Sequence, residues 1–208
     1  MNEKYEFTGK KVEDQGVVYK QIRALKDFGG IHAGDLGGWI EKESNLSANG
    51  NAWVAEKARV SGNAYVSENA LVEGEADISG NAKISGSAVV CDSHIFERAM
   101  VFGNAYVGES VLVYGNSKIY EGAKLEGGAD IGDNVEIFGN AKINGDGGVV
   151  CIDDSVKIKG NTMVSGDIEI SGECEISGDT IIKGVPCGPS RLILGGEIES
   201  ANIVFSAT

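Results

Sequence analysis

The chain contains 208 residues, including 31 glycines and two prolines, and its 31 acidic and 18 basic residues give a net charge of -13 at pH 7. The glycines follow no G-X-Y period, prolines are scarce and 42% of the residues are hydrophobic, which excludes a collagen and a disordered chain. The negative charge opposes broad binding to DNA or to an anionic membrane, because such binding requires clustered lysines and arginines.

No window of the sequence reaches the roughly 18 apolar residues of a membrane span. The N-terminus lacks the basic and apolar regions of a signal peptide, so we expect a cytoplasmic protein with reduced thiols. The carboxylates of Asp146, Asp153 and Asp154 lack the spacing of a calcium-binding loop, so we predict no metal and no other cofactor. The cysteines are too few and too scattered for a disulfide framework or a zinc site; they are Cys91, Cys151, Cys174 and Cys187.

The N-terminal segment, residues 1–45, carries no repeat. Residues 5–8 and 17–22 are rich in β-formers and flank a polar stretch at 10–15, which predicts a hairpin with its turn in that stretch. We expect this leader to cover the first coil of the structure that follows.

From Val54 onward an aliphatic residue returns every six positions, with one five-residue step between Val90 and Ile95. A small or β-branched residue stands two positions before each of them. The aliphatic positions are Val54, Val60, Val66, Val72, Ile78, Ile84, Val90, Ile95, Val101, Val107, Val113, Ile119, Leu125, Ile131, Ile137 and Ile143.

Residues two apart point to the same side of an extended chain, so each unit forms a short strand with two inward side chains. Turn formers such as Ser61-Gly62-Asn63 make a corner after each strand. Three strands and three corners form a three-sided coil, and stacked coils bury one aliphatic column. The sequence therefore predicts an all-β parallel β-helix of about eight coils and not a β-sandwich, whose turns are spaced less regularly.

The six-residue phase is interrupted once and then fades. Three extra residues within 144–148 predict a small outward loop, and the phase resumes at Ile152 and fades after Ile182. We therefore divide the chain into a leader (1–45), a β-helix (46–194) and a C-terminal cap (195–208) that covers the open strand edge.

The repeat resembles that of the hexapeptide-repeat proteins, which fold as left-handed parallel β-helices. The segments QIRALKDFGG (21–30) and GDLGGWI (34–40) are similar to the leader of phage, prophage and enterobacterial members of this family, often labelled acyltransferases. The resemblance implies a left-handed helix, a homotrimer joined through the helix walls and a phage origin. A shared fold does not by itself establish the chemistry.

His94 is the residue that an acyl transfer would use, because acyltransferases of this fold place a histidine general base between subunits and bind acyl-CoA along the helix wall. It lies between inward Ser93 and Ile95, hence outward, and Asp92 is placed to orient its ring. The alternative is a solvated surface histidine beside a tolerated deletion, with Cys91 an inert thiol.

Outward residues 18 apart stack along one wall of such a helix. Phe102, Tyr120 and Phe138 form one column, and Phe96 and Tyr114 lie on the adjacent wall. An apolar column facing water indicates a contact surface. A further wall carries Trp53, Leu71, Val89, Tyr106, Lys124, Lys142, Met163 and Ile181.

These columns have two interpretations that can hold together. They pack against other subunits of a homotrimer, or their rings stack the bases of a small nucleotide at about 1–3 kcal/mol per base. In the second case basic side chains contact the phosphates. The candidates for that role are Arg98, Lys118, Lys124, Lys142 and Lys157.

Three classes of function follow from these features. The leading hypothesis is a non-catalytic, oligomeric phage protein that sequesters cyclic oligonucleotide immune signals in the cytoplasm of the infected bacterium. Its ligand contacts would be Arg98, Phe102, Lys118, Tyr120 and Phe138. The alternatives are an acyltransferase using His94 with an acyl-CoA donor, and a structural β-helix of the virion.

Overall fold

The computed structural model describes residues 2–185 and 190–205. Over these residues the chain forms short β-strands and one 3-10 helix (Glu43–Asn45), and it contains no α-helix there. In chain order the strands are β1 (Tyr5–Asp14), β2 (Val17–Ala24), β3 (Leu36–Ile40), β4 (Trp53–Val54), β5 (Arg59–Val60), β6 (Tyr65–Val66), β7 (Leu71–Glu73), β8 (Asp77–Ile78), β9 (Lys83–Ile84), β10 (Val89–Cys91), β11 (His94–Ile95), β12 (Met100–Val101), β13 (Tyr106–Gly108), β14 (Val111–Val113), β15 (Lys118–Ile119), β16 (Lys124–Glu126), β17 (Ala129–Ile131), β18 (Glu136–Ile137), β19 (Lys142–Asn144), β20 (Val150–Ile152), β21 (Lys157–Ile158), β22 (Met163–Ser165), β23 (Ile168–Ser177), β24 (Ile181–Lys183), β25 (Ser190–Glu199) and β26 (Asn202–Val204).

The strands stack in parallel on three faces. Face A contains β4, β7, β10, β13, β16, β19, β22, β24 and β26. Face B contains β3, β5, β8, β11, β14, β17, β20 and the first halves of β23 and β25. Face C contains β6, β9, β12, β15, β18, β21 and the second halves of β23 and β25.

This arrangement confirms the all-β, left-handed parallel β-helix predicted from the repeat. Face A has nine strands, so the helix has about nine turns where the sequence predicted about eight. The additional turn arises because β26 continues the parallel pairing beyond β24. At the other end, β3 already pairs in parallel with β5.

The core is the single column that the alternation predicted. Every aliphatic residue of the series from Val54 to Ile143 is at most 1% exposed. Where serine replaces the small apolar partner, it is buried with a hydrogen bond: Ser117 Oγ donates to the Gly132 carbonyl at 2.8 Å. Buried hydroxyls require such partners, so the column tolerates serine without an unpaired polar group.

The corners explain how the coils remain aligned. Several corner residues are acidic and have positive φ, a backbone conformation usually given to glycine; Glu68 is at 62° and Glu121 at 58°. Each carboxylate accepts the backbone N–H of a glycine in the next coil, Gly86 at 2.6 Å and Gly139 at 2.9 Å. These bonds to a charged acceptor offset the backbone strain and join successive coils.

The leader is the predicted hairpin, with a different turn. Strands β1 and β2 pair antiparallel from Tyr5 to Asp14. The turn expected at 10–15 is wrong: only Gln15 and Gly16 connect the strands, and both have positive φ, as two-residue hairpin turns require. The polar residues before Gln15 belong to β1, because main-chain pairing continues beyond the part of the hairpin that contacts the core.

The leader covers the first coil. Lys4 is 1% exposed, and its Nζ donates to the carbonyls of Ser47 at 3.0 Å and Ala52 at 2.6 Å. Trp53, expected on a wall that faces water, is only 2% exposed because the leader lies on it. Phe28 contacts its ring edge-on at 5.4 Å. The apolar wall of face A that remains accessible therefore begins after Trp53.

Candidate functional site

His94 lies on face B below the tip of the leader hairpin. Its side chain is exposed, and its register neighbours are Asp77 and Leu112. Together with Asp14 and Gln15 of the hairpin it lines a cleft of about 350 Å³. The hairpin, which sequence reasoning assigned only to covering the first coil, thus forms one side of the cleft that contains the histidine.

The acidic residue next to His94 in the strand register is Asp77. Burial raises the pKa of Asp77, whereas the nearby His94 and Arg59 act to lower it. Arg59 also forms an ion pair with Asp14 at the hairpin tip. The expected orienting role of Asp92 is wrong, because its carboxylate turns to the corner and accepts the Glu75 backbone N–H at 2.8 Å.

Cys91 also contacts Asp92 and is a poor nucleophile. Its Sγ donates to Asp92 Oδ2 at 3.3 Å. Burial, followed by this hydrogen bond to a carboxylate, raises the pKa of the Cys91 thiol to about 11. The thiol is therefore protonated at neutral pH, and a nucleophilic role requires the thiolate.

The aromatic column on face C has the predicted geometry. Phe102 and Tyr120 stack at 4.8 Å between ring centroids and 2° between planes, and Tyr120 and Phe138 stack at 4.8 Å and 5°. Phe96 and Tyr114 on the adjacent wall stack at 5.2 Å. A base inserted between two rings would need about 7 Å, twice the carbon contact distance. Both faces of Tyr120 are thus occupied by its neighbours.

The remaining predicted contacts lie apart from one another. Lys118 is on face C, where its Nζ forms an ion pair with Glu136 at 2.8 Å. Arg98 is at the corner before β12, in a shallow cleft of about 340 Å³ that it shares with Asn81 and Asn116. Phe102 comes directly after β12, at the other end of that strand from Arg98. The structure therefore brings the three rings together but places Arg98 at a different corner.

A second cleft lies on face A, beside the loop predicted near Asp146. Its volume is about 450 Å³, and three lysines line it: Lys124, Lys142 and Lys183. Met163, Asn144, Ser165 and Asp146 complete the lining together with Glu126 and Ile143. We call this the lysine cleft. Sequence arithmetic placed Lys124 and Lys142 in one column, but it missed Lys183 because Lys183 lies in the neighbouring column, two residues after Ile181, where it aligns with Asn144 and Ser165.

The lysines of this cleft differ in whether an acidic side chain forms an ion pair with them. Lys124 Nζ forms an ion pair with Glu126 at 2.8 Å and lies 5.4 Å from the centroid of the Tyr106 ring. The bond to Glu126 raises the pKa of Lys124. Neither Lys142 nor Lys183 has an ion-pair partner within 4 Å in the part of the chain described. With Glu126 and Asp146 also in the lining, the three lysines leave the cleft with a net charge of +1 on an acidic protein.

Within residues 2–185 and 190–205 no group of three or more His, Cys, Asp or Glu side chains is arranged to hold a metal ion. No helix there is long and apolar enough to span a membrane.

Comparison with known proteins adds a partial similarity. No family model matches the sequence. A curated Escherichia coli (strain K12) protein, described as the uncharacterized acetyltransferase YdcK, is 36% identical over 47 residues. The match covers 23% of this chain and 14% of that protein. This similarity and the β-helix fit a hexapeptide-repeat family.

Proposed function

We propose that the protein binds a small phosphorylated ligand of the nucleotide class in the lysine cleft, without catalysis. The observation that carries the proposal is that Lys142 and Lys183, neither of which has an ion-pair partner within 4 Å among the described residues, line one cleft. Lys124 and Lys142 are also direct neighbours across β16 and β19. Like charges in neighbouring strands repel each other and destabilise a sheet. An anion bound between the two lysines would attract both and so offset that repulsion.

The lining favours phosphate joined to an apolar group. The side chains of Asn144 and Ser165 supply hydrogen bonds, and Met163, which is 39% exposed, offers a polarizable apolar contact. A volume of about 450 Å³ lies within the range of small-molecule sites. The net charge of -13 repels long polyanions, so a basic cleft on this background selects small ones.

The lysine cleft replaces the aromatic column as the proposed ligand site. Both ring faces of Tyr120 are covered by neighbouring rings, so no base can stack on it. Lys124 and Lys142, in contrast, were among the side chains expected to contact phosphate. The wider hypothesis remains that a phage protein sequesters cyclic oligonucleotide signals, as a homotrimer, in the infected cell. It predicts that ligand retained through purification is released chemically intact by heat denaturation.

Calorimetry with cyclic di- and trinucleotides, mononucleotides, pyrophosphate and acetyl-CoA tests the proposal. Lys142→Glu and Lys183→Glu should each weaken nucleotide binding by ten- to a hundredfold, because each removes a charge-assisted bond of about 1.5–3 kcal/mol. Lys83→Glu, an equal charge change at an exposed position on face C, is the matched control and should bind normally. Absence of binding to every phosphorylated compound would refute the proposal.

A second candidate function is acyl transfer at His94. The exposed ring beside Asp77 under the hairpin tip favours it, and so does the name of the E. coli relative. In that case His94 acts as a general base and Asp77 stabilises the imidazolium that forms. Transfer from acetyl-CoA to amine or hydroxyl acceptors, abolished by His94→Ala but unaffected by Lys142→Glu, would establish this function in place of simple binding.

A further inference from the structure

The C-terminal end of the helix presents unpaired strand edges. β25 pairs with β23 and β26 pairs with β24, and within the described ranges neither strand has a neighbour on its other side. The opposite end is different, because β2 pairs antiparallel with β3 and covers the first coil. An unpaired edge is a template for another strand.

The hydrogen-bonding groups of this edge can be assigned by residue. Ser190 and Ser200 donate their N–H groups back to the carbonyls of Asp167 and Ser177. Even-numbered residues of β25 therefore face the preceding coil, and odd-numbered residues direct their N–H and C=O groups toward the open end. On β26 the alternation is opposite: Phe205 donates back to Lys183, so residues 202 and 204 face the open end.

The same end exposes apolar side chains. Ile193 is 65% and Val204 is 62% exposed, the two highest values among the large hydrophobic residues described. Leu192, Ile198 and Ile203 pack against the core from the last coil and are only partly buried. Among residues 2–185 and 190–205, therefore, no layer covers this end of the apolar column.

We infer that this end pairs with the same end of a second copy of the chain in an antiparallel, two-fold symmetric contact. A two-fold axis through Gly195 pairs the two β25 strands so that Arg191 lies opposite Glu199 of the second copy. Gly195 is at the corner between faces B and C, and Ile203 is at the middle of face A, which is opposite that corner. One axis through both residues therefore pairs β25 with β25 and β26 with β26.

This register is complementary in three respects. It brings odd-numbered residues of one β25 opposite odd-numbered residues of the other, so that outward N–H groups meet outward C=O groups. It places Leu192 against Ile198 of the second copy, which continues the apolar column across the contact. It also forms the Arg191 to Glu199 ion pair twice. Because the contact is isologous, it closes after two copies. The leader covers the N-terminal end of each copy, so that end does not extend the pair into a filament.

Light scattering of the full-length protein tests the contact. The wild type should contain an even number of copies, a dimer, or a hexamer if the walls also trimerise. Ile193→Pro should halve the mass, because proline removes an N–H that faces the open end and leaves the bonds to β23 in place. Ile193→Thr keeps that N–H and should retain the wild-type mass, and both variants should keep the wild-type circular dichroism spectrum.

Charge exchange tests the register itself. Glu199→Arg places an arginine opposite Arg191 of the second copy, and the dissociation constant should rise at least tenfold. Because Arg191 also pairs with Glu169 of its own chain at 3.1 Å, the compensating variant combines Arg191→Glu with Glu169→Gln. It restores opposite charges across the contact and should restore the wild-type assembly. A wild-type monomer or trimer, an unchanged mass for Ile193→Pro or no recovery in this triple variant would overturn the inference. Nucleotide binding in the lysine cleft is measured separately, so either result stands without the other.

Discussion

Replacing Tyr120 by alanine separates a structural role of the aromatic column from a role in ligand binding. Tyr120 stacks on Phe102 and on Phe138, each at 4.8 Å. A stacked pair contributes about 0.5–1.5 kcal/mol beyond burial, so two pairs contribute about 1–3 kcal/mol. The half-buried ring adds about 1 kcal/mol of transfer free energy. We expect Tyr120→Ala to lower the free energy of unfolding by about 2–4 kcal/mol.

Phe138→Ala provides the matched comparison, because the structure shows Phe138 stacked on one ring of the column and Tyr120 on two. Removing it should cost about 1.5–2.5 kcal/mol by the same reasoning. Urea unfolding followed by circular dichroism measures both variants, and the double variant should cost less than the sum because the two share one stack. A loss below about 1 kcal/mol for Tyr120→Ala, or a loss no larger than that of Phe138→Ala, would refute a structural column.

Three other perturbations test the core, the leader and the cysteine. Ile119→Asp places a carboxylate at a fully buried position mid-column and should prevent soluble expression, as an expression trial would show. Lys4→Met leaves the carbonyls that Lys4 bonds unpaired and should accelerate hydrogen exchange in β1 at least tenfold. Burial lowers the pKa of Lys4 from 10.5 to about 8, so the unfolded state binds more protons between these values, and wild-type stability should rise from pH 8 to 10 relative to Lys4→Met in urea titrations. With its pKa near 11, Cys91 should react with iodoacetamide at pH 8 on the order of a hundredfold more slowly than a free thiol by mass spectrometry, and Asp92→Asn should accelerate the reaction.

The periodic part of the fold could be predicted because one physical requirement repeats. The second inward position of each strand must be aliphatic, so the sequence indicates the burial of Val54 and of Ile143 in the same way. The hairpin turn was misplaced because residues 9–14 contain only one apolar side chain, Val12, and their pairing depends on main-chain bonds that side-chain chemistry does not reveal.

The sites were less predictable, for geometric reasons. Counting by 18 placed Tyr120 over Phe138, but whether a ring face is free depends on the spacing between coils. Asp92 lies two residues before His94 in the sequence, yet the corner turns it away, and Asp77 from the preceding coil becomes the neighbour instead. Lys183 joins the lysine cleft from the column next to that of Lys124 and Lys142, and counting along a single column does not reveal that two columns line one cleft.

The acidic corners have a consequence for how this fold can change in length. The carboxylate of Glu121 reaches a backbone N–H 18 residues later, that of Asp133 reaches one 21 residues later, and Asp92 accepts one from 17 residues earlier. Residues are thus gained and lost at the vertices while the strands on the three faces remain paired. A foreign peptide grafted at 145–149 should leave the ladders on both sides unchanged, since the entropy of closing a longer loop rises only slowly with its length. The molecule is in this sense a scaffold with ready-made sites for loop display.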